Sequence, residues 1–154
     1  MEDSGEKWGI NMLMGEFHHS IDEKKRLIIP AKFRSELGEK FVVTRGIEKC
    51  LYVYSMSEFE TIVDKLKTIP FTKSDARQFM RFFLSGATTV EFDKQGRITI
   101  PTTLTNYASI IKDCIVVGTG DRLEIWSDSS WDEFYNSTKD NMSDIAEKLF
   151  DTNI

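Results

Sequence analysis

Apolar residues along this chain recur with a period of two in some windows and near 3.6 in others, and the switches between the two periods mark out the elements. Leu27 to Ile29 is a compact apolar strand signal. Pro30 follows, which suits the first turn of a helix because its missing N–H would have no partner there, and Gly38 stands where "AKFRSELG" should stop. "FVVTRG" and "LYVYS" are β-branched and aromatic with a turn between them, which predicts a hairpin. Ser57 and Glu60 have the spacing of a capping box, and Phe59, Ile62, Val63 and Leu66 then fall on one helical face.

The second half repeats this grammar. "TTVEF" and "ITI" flank a polar loop, Pro101 opens a short helix, "CIVVGTG" and "LEIWS" predict a hairpin, and Ser130 with Glu133 repeats the capping-box spacing ahead of Phe134. Strand, loop, strand, helix, hairpin, helix therefore occurs twice. Between the copies Ala76, Phe79, Met80 and Phe83 share a helical face, so the connector reads as a packed helix. The tail from Met142 to Phe150 has the same period, with Ile145, Leu149 and Phe150 as the residues expected to dock it. The organisation expected is a flexible extension over 1–11, a first repeat over 16–58, a helical connector over 59–86, a second repeat over 87–130 and C-terminal helices over 131–154.

The duplication is sharpest at two segments, "IDEKKRLIIP" from Ile21 and "FDKQGRITIP" from Phe92, which lie 71 positions apart. Asp22 aligns with Asp93, Arg26 with Arg97, Ile29 with Ile100 and Pro30 with Pro101. An Asp that opens a tight connection accepts hydrogen bonds from backbone N–H groups two residues on. The Arg four residues later can return to that Asp as a structural ion pair. It can instead point outward from an exposed β ribbon that carries Lys24, Lys25 and Arg26 toward phosphates and base edges, since such a ribbon fits the major groove. The two readings are compatible if Asp shapes the loop and the cations bind.

Charge at first argues against nucleic acid, because the 154 residues carry a formal net charge of −5. Its distribution changes that. Residues 1–11 hold −2 and residues 128–154 hold −5, so residues 12–127 are net +2 between acidic ends. No apolar run approaches the roughly 20 residues that span a bilayer and no signal-peptide core opens the chain, which predicts a cytoplasmic protein without a membrane partner. Two cysteines, Cys50 and Cys114, make neither a disulfide framework nor a zinc site and read as buried thiols.

"MLMGEF", "DEKKRLIIPAKFR", "RGIEKCLYVY", "DKQGRITIP" and "VVGTGDRLEIW" together resemble the MraZ family of bacterial transcriptional regulators. The resemblance implies a mainly β, α+β fold, a double-split β barrel made from two AbrB-like swapped-hairpin repeats. It also implies a ring-shaped homo-oligomer, associated with the nucleoid, that binds double-stranded DNA at repeated boxes upstream of the division and cell-wall gene cluster, with repression as the expected sign. The DNA-contacting surface it implies is Asp22 with Lys24 and Arg26, and Asp93 with Arg97. Lys25 and Lys94 join it as neighbouring loop cations. The family has Gly before each Arg, kept here as Gly96 but replaced by Lys25, so the first loop has either another conformation or modest strain, and one more cation. That makes it the stronger expected contact. Lys32 and Arg34 downstream read either as further cations or as the solvated face of the short helix.

Catalysis finds no support, since no acid/base constellation with a nucleophile is recognisable and His18 and His19 adjoin on a strand, where neighbours face opposite ways. No metal, cofactor or small-molecule substrate is expected. The competing class is an antitoxin-like protein-binding module in which the acidic residues 128–154 capture a partner.

Overall fold

The computed structural model describes residues 12–151, so the extension expected over residues 1–11 lies outside the described residues. Strands β1 (Leu13–Ser20) and β2 (Arg26–Ile28) lead to helix α1 (Ala31–Leu37), the hairpin of β3 (Lys40–Arg45) and β4 (Leu51–Ser55), and helices α2 (Met56–Lys67) and α3 (Ser74–Ser85). The grammar then restarts with β5 (Thr88–Glu91), β6 (Arg97–Thr99), α4 (Thr102–Tyr107), β7 (Asp113–Gly120), β8 (Leu123–Ser127) and α5 (Asp128–Thr138). A 3-10 turn, Lys139–Asn141, joins α5 to α6 (Met142–Phe150).

The strands form a six-stranded sheet in the order β1-β7-β8-β4-β3-β5 and a two-stranded ribbon of β2 with β6, antiparallel throughout. This order is symmetric under exchange of the two copies: β1 answers to β5, β7 to β3 and β8 to β4. A pseudo-twofold axis therefore passes between β8 and β4, at the Tyr52–Glu124 pair. Each copy hands its first strand to the other. β1 lies along β7 with Ser20 opposite Asp113, and β5 lies along β3 with Glu91 opposite Lys40. The result is the α+β double-split barrel of two swapped-hairpin repeats.

Two apolar layers hold it. Between sheet and ribbon, matched residues from the two copies meet with no water access: Leu27 and Ile98, Ile29 and Ile100, Phe33 and Leu104. On the other sheet face Tyr52, Tyr54 and Trp126 pack beneath the helices, with Phe83 of α3 between Phe59 and Phe79 in stacked rings at 5.9 and 5.4 Å. The connector is thus a packed helix, as its periodicity indicated.

Three local expectations need correction. Helices α2 and α5 are capped two and three residues earlier than the sequence spacing suggested: Ser55 accepts from Glu58 N at 3.2 Å and Ser127 from Ser130 N at 3.1 Å, so the caps are not Ser57 and Ser130. Both capping hydroxyls end a strand, where the extended backbone a cap requires is already present. Pro30 and Pro101 stand just before their helices rather than within the first turn. Finally, α6 does not dock on its own chain, because Ile145, Leu149 and Phe150 are 37 %, 65 % and 57 % exposed.

Candidate nucleic-acid interface

The two Asp-to-Arg loops have the same geometry. In the first, Asp22 Oδ1 accepts from the N–H groups of Lys24 and Arg26, both at 2.9 Å, and Oδ2 accepts from Arg26 Nε at 2.7 Å. In the second, Asp93 Oδ1 accepts from Gln95 N and Arg97 N at 2.9 and 2.8 Å, and Oδ2 from Arg97 Nε at 2.7 Å. Backbone bonds close each turn: Lys25 N donates to Asp22 O and Gly96 N to Asp93 O, each at 3.0 Å. The backbone N–H of Arg26 is the main cause holding the Asp22 carboxyl below the usual carboxylate range, and Arg97 does the same for Asp93. Each Asp is therefore an ionised clamp on the second and fourth residues that follow it.

Lys25 has φ +63° and Gly96 φ +78°, so the loops share one left-handed residue and the first simply carries the strain. A non-glycine residue in that region costs about 1–2 kcal/mol. Each loop is also tied to the opposite copy, since Ile100 N donates to Lys25 O at 2.9 Å and Ile29 N to Gly96 O at 3.3 Å.

The ribbon between them sets which groups face out. Leu27 is opposite Ile98 and both point into the core, so Arg26 and Ile28 on β2 and Arg97 and Thr99 on β6 occupy the outer face. Arg26 pairs with Thr99, which makes Arg97 its diagonal neighbour at roughly 7–8 Å. The arginines keep 30 % and 25 % of their side chains exposed, and their ion pairs use Nε. Among the described residues Arg26 makes no hydrogen bond through its terminal nitrogens, while Arg97 Nη2 donates to Gln95 Oε1 at 3.3 Å. Lys24 and Lys94 stand exposed at the two loop tips, and Lys25 is half-buried.

Lys112 was not legible as a site residue, and Arg34, read from sequence as a further cation beside the first loop or as the solvated face of the short helix, lies instead at the second loop. Lys112 lines, with Ile111 and the first loop, an open cleft of about 640 Å³, and its carbonyl accepts from Ile21 N at 2.8 Å. Arg34 reaches the second loop from α1, with its Nε donating to the Ile29 carbonyl at 3.0 Å. Lys32 instead lies over the rings of Phe17 and Phe33 at 5.4 and 5.5 Å.

Elsewhere the polar groups have local roles. His18 is exposed and pairs with Glu16 at 2.8 Å, whereas His19 is half-buried on the opposite face of β1. Burial pushes both cysteine thiols up to about 12. Buried Glu124 at the pseudo-axis is satisfied by Arg122 Nη2 at 2.7 Å and Trp126 Nε1 at 2.9 Å. Among the described residues no three His, Cys, Asp or Glu side chains converge as metal ligands, and no helix is long and apolar enough to cross a membrane.

A family model described as "MraZ protein, putative antitoxin-like" matches the chain twice, over residues 12–82 and 83–153. The chain belongs to the MraZ family. Each match spans 71 residues, equal to the separation of Asp22 and Asp93, so MraZ repeats are the unit that the internal symmetry describes. A regulator-type binding module is the class to which the family assigns it.

Proposed function

We propose that this MraZ protein is a sequence-specific, DNA-binding transcriptional repressor, acting as a ring-shaped homo-oligomer on repeated boxes upstream of the division and cell-wall gene cluster, in the nucleoid. The observation that carries this reading is the pair of clamped loops at the ends of one short ribbon. The side chains it assigns to DNA are Lys24, Lys25 and Arg26 in the first loop and Lys94 and Arg97 in the second, with Asp22, Asp93 and Gly96 shaping the turns. Clamping by Nε leaves the outer end of the Arg26 guanidinium for a guanine edge or a phosphate, and fixing the loop beforehand lowers the ordering cost of binding.

Each protomer contributes few cations, so affinity for DNA is built by repetition. A ring engaging several boxes raises the effective concentration at each further contact. The test is a titration of the region upstream of the protein's own gene, trimmed to one, two or four boxes. Affinity should climb steeply with box number and fall steeply with salt. Equal affinity for one and four boxes would contradict the ring model.

The exposed apolar side of α6 supports a second reading, in which the acidic tail binds a protein as an antitoxin does. That interface would be mainly apolar and nearly indifferent to salt. Removal of Met142–Phe150 separates the two: loop-based DNA contact of an isolated protomer survives it, and protein capture does not.

A further inference from the structure

The two loops share a backbone but receive their third cation differently. A Cβ added to Gly96 would lie 2.2 Å from Arg34 Cζ and 2.4 and 2.5 Å from its Nη2 and Nη1. The Arg34 guanidinium therefore fills the space where a side chain at position 96 would begin, and Gly96 is buried beneath it despite lying in a surface loop. The guanidinium is held on its inner side by the Ile29 carbonyl at 3.0 Å and lies 5.9 Å from the centroid of the Phe92 ring.

At the first loop the arrangement is exchanged. The residue 71 positions after Arg34 is Thr105, wholly buried, with Oγ1 donating to the Thr102 carbonyl at 3.1 Å. The side chain at that position is thus short and turned to its own helix, and the left-handed position of the first loop is held by the half-buried Lys25. Lysine goes with threonine at one end of the ribbon, and glycine with arginine at the other. The cation that the second loop lacks in its own sequence arrives from the first repeat's helix.

We propose that Arg34 is a phosphate-contacting residue of the second loop, supplying there the charge that Lys25 supplies at the first. The inference rests on the DNA-binding reading and extends it to a residue outside both Asp-to-Arg segments. Nε is engaged inward, so the terminal nitrogens are the donors that meet phosphate, a geometry to which the planar guanidinium is suited. Each end of the ribbon then carries three cations: Lys24, Lys25 and Arg26 against Arg34, Lys94 and Arg97.

A transplant distinguishes this from a purely bracing role. Arg34→Thr, Arg34→Gln and the double variant Arg34→Thr with Gly96→Lys, which copies the first loop's arrangement, are titrated with the upstream duplex and with an unrelated duplex across a salt series, alongside thermal melts. Both single variants should melt near the wild type, lose about tenfold in affinity on either duplex, and show a log K against log salt slope shallower by about one per engaged loop. The double variant should recover slope and affinity. An unchanged slope in Arg34→Gln, which can still donate to Ile29, overturns the proposal, as does a folded double variant that fails to recover. Arg26→Ala runs in the same series: loss there without loss at Arg34 refutes this inference alone, whereas a wild type that binds neither duplex refutes the DNA reading with it.

Discussion

At the scale of single residues, Asp22 and Asp93 are where charge and conformation pull in opposite directions. Removing an acid from a DNA-binding surface strengthens binding on electrostatic grounds, but Asp22→Ala also frees the N–H groups of Lys24 and Arg26 and releases the Arg26 guanidinium. We expect weaker specific binding, by about fivefold or more, together with equal or stronger binding to unrelated duplex, measured by competition titration. The depressed carboxyl values set the pH response. A folded pKa below the unfolded one means that the clamp's contribution is complete above the ordinary value of 3.8 and fades as pH falls through the lower folded value. Amide chemical shifts of Lys24, Arg26, Gln95 and Arg97 should therefore stay constant from neutrality down to about pH 4 and move together only below it. At the left-handed position, Lys25→Gly relieves strain and should hold or raise thermal stability, by up to about 1 kcal/mol, while it weakens DNA binding. The deeply buried thiols of Cys50 and Cys114 should react with a thiol reagent only at the rate of unfolding.

At the scale of elements, what could be read from sequence follows how local each interaction is. The Asp-to-Arg loops were legible because their bonds close within five residues, and the packed face of α3 was legible because Phe79 and Phe83 share one stripe. β1 was only partly legible, since an edge strand with exposed Met14, Gly15 and Glu16 lacks a buried alternation over half its length. Arg34 over Gly96 was not legible at all: it joins residues of different repeats, and nothing along either segment announces the meeting. The capping boxes show the same limit, because two Ser-to-Glu spacings overlap and only the end of β4 decides between them. Ser55→Ala should cost about 1 kcal/mol in a denaturant melt, and Ser57→Ala close to none. Periodicity in α6 identified its apolar face correctly but carries no information on what covers that face.

At the scale of the whole molecule, duplication places both copies of the loop on one ribbon and exchanges their first strands, so neither half completes its sheet alone. On the proposed reading an acidic chain would meet a polyanion through the cations of the two loops, away in sequence from the acidic residues 128–154. Steep salt dependence and strong dependence on box number are the joint signature of that arrangement. The most direct test is a gel-shift titration of wild type and Arg26→Ala on the protein's own upstream DNA at two salt concentrations, after circular dichroism shows both folded. Tight, salt-sensitive binding by the wild type and a loss of at least tenfold in the folded variant are expected. Equal binding by the two proteins would reduce Arg26 to a structural partner of Asp22 and contradict the central claim that the clamped loops read DNA.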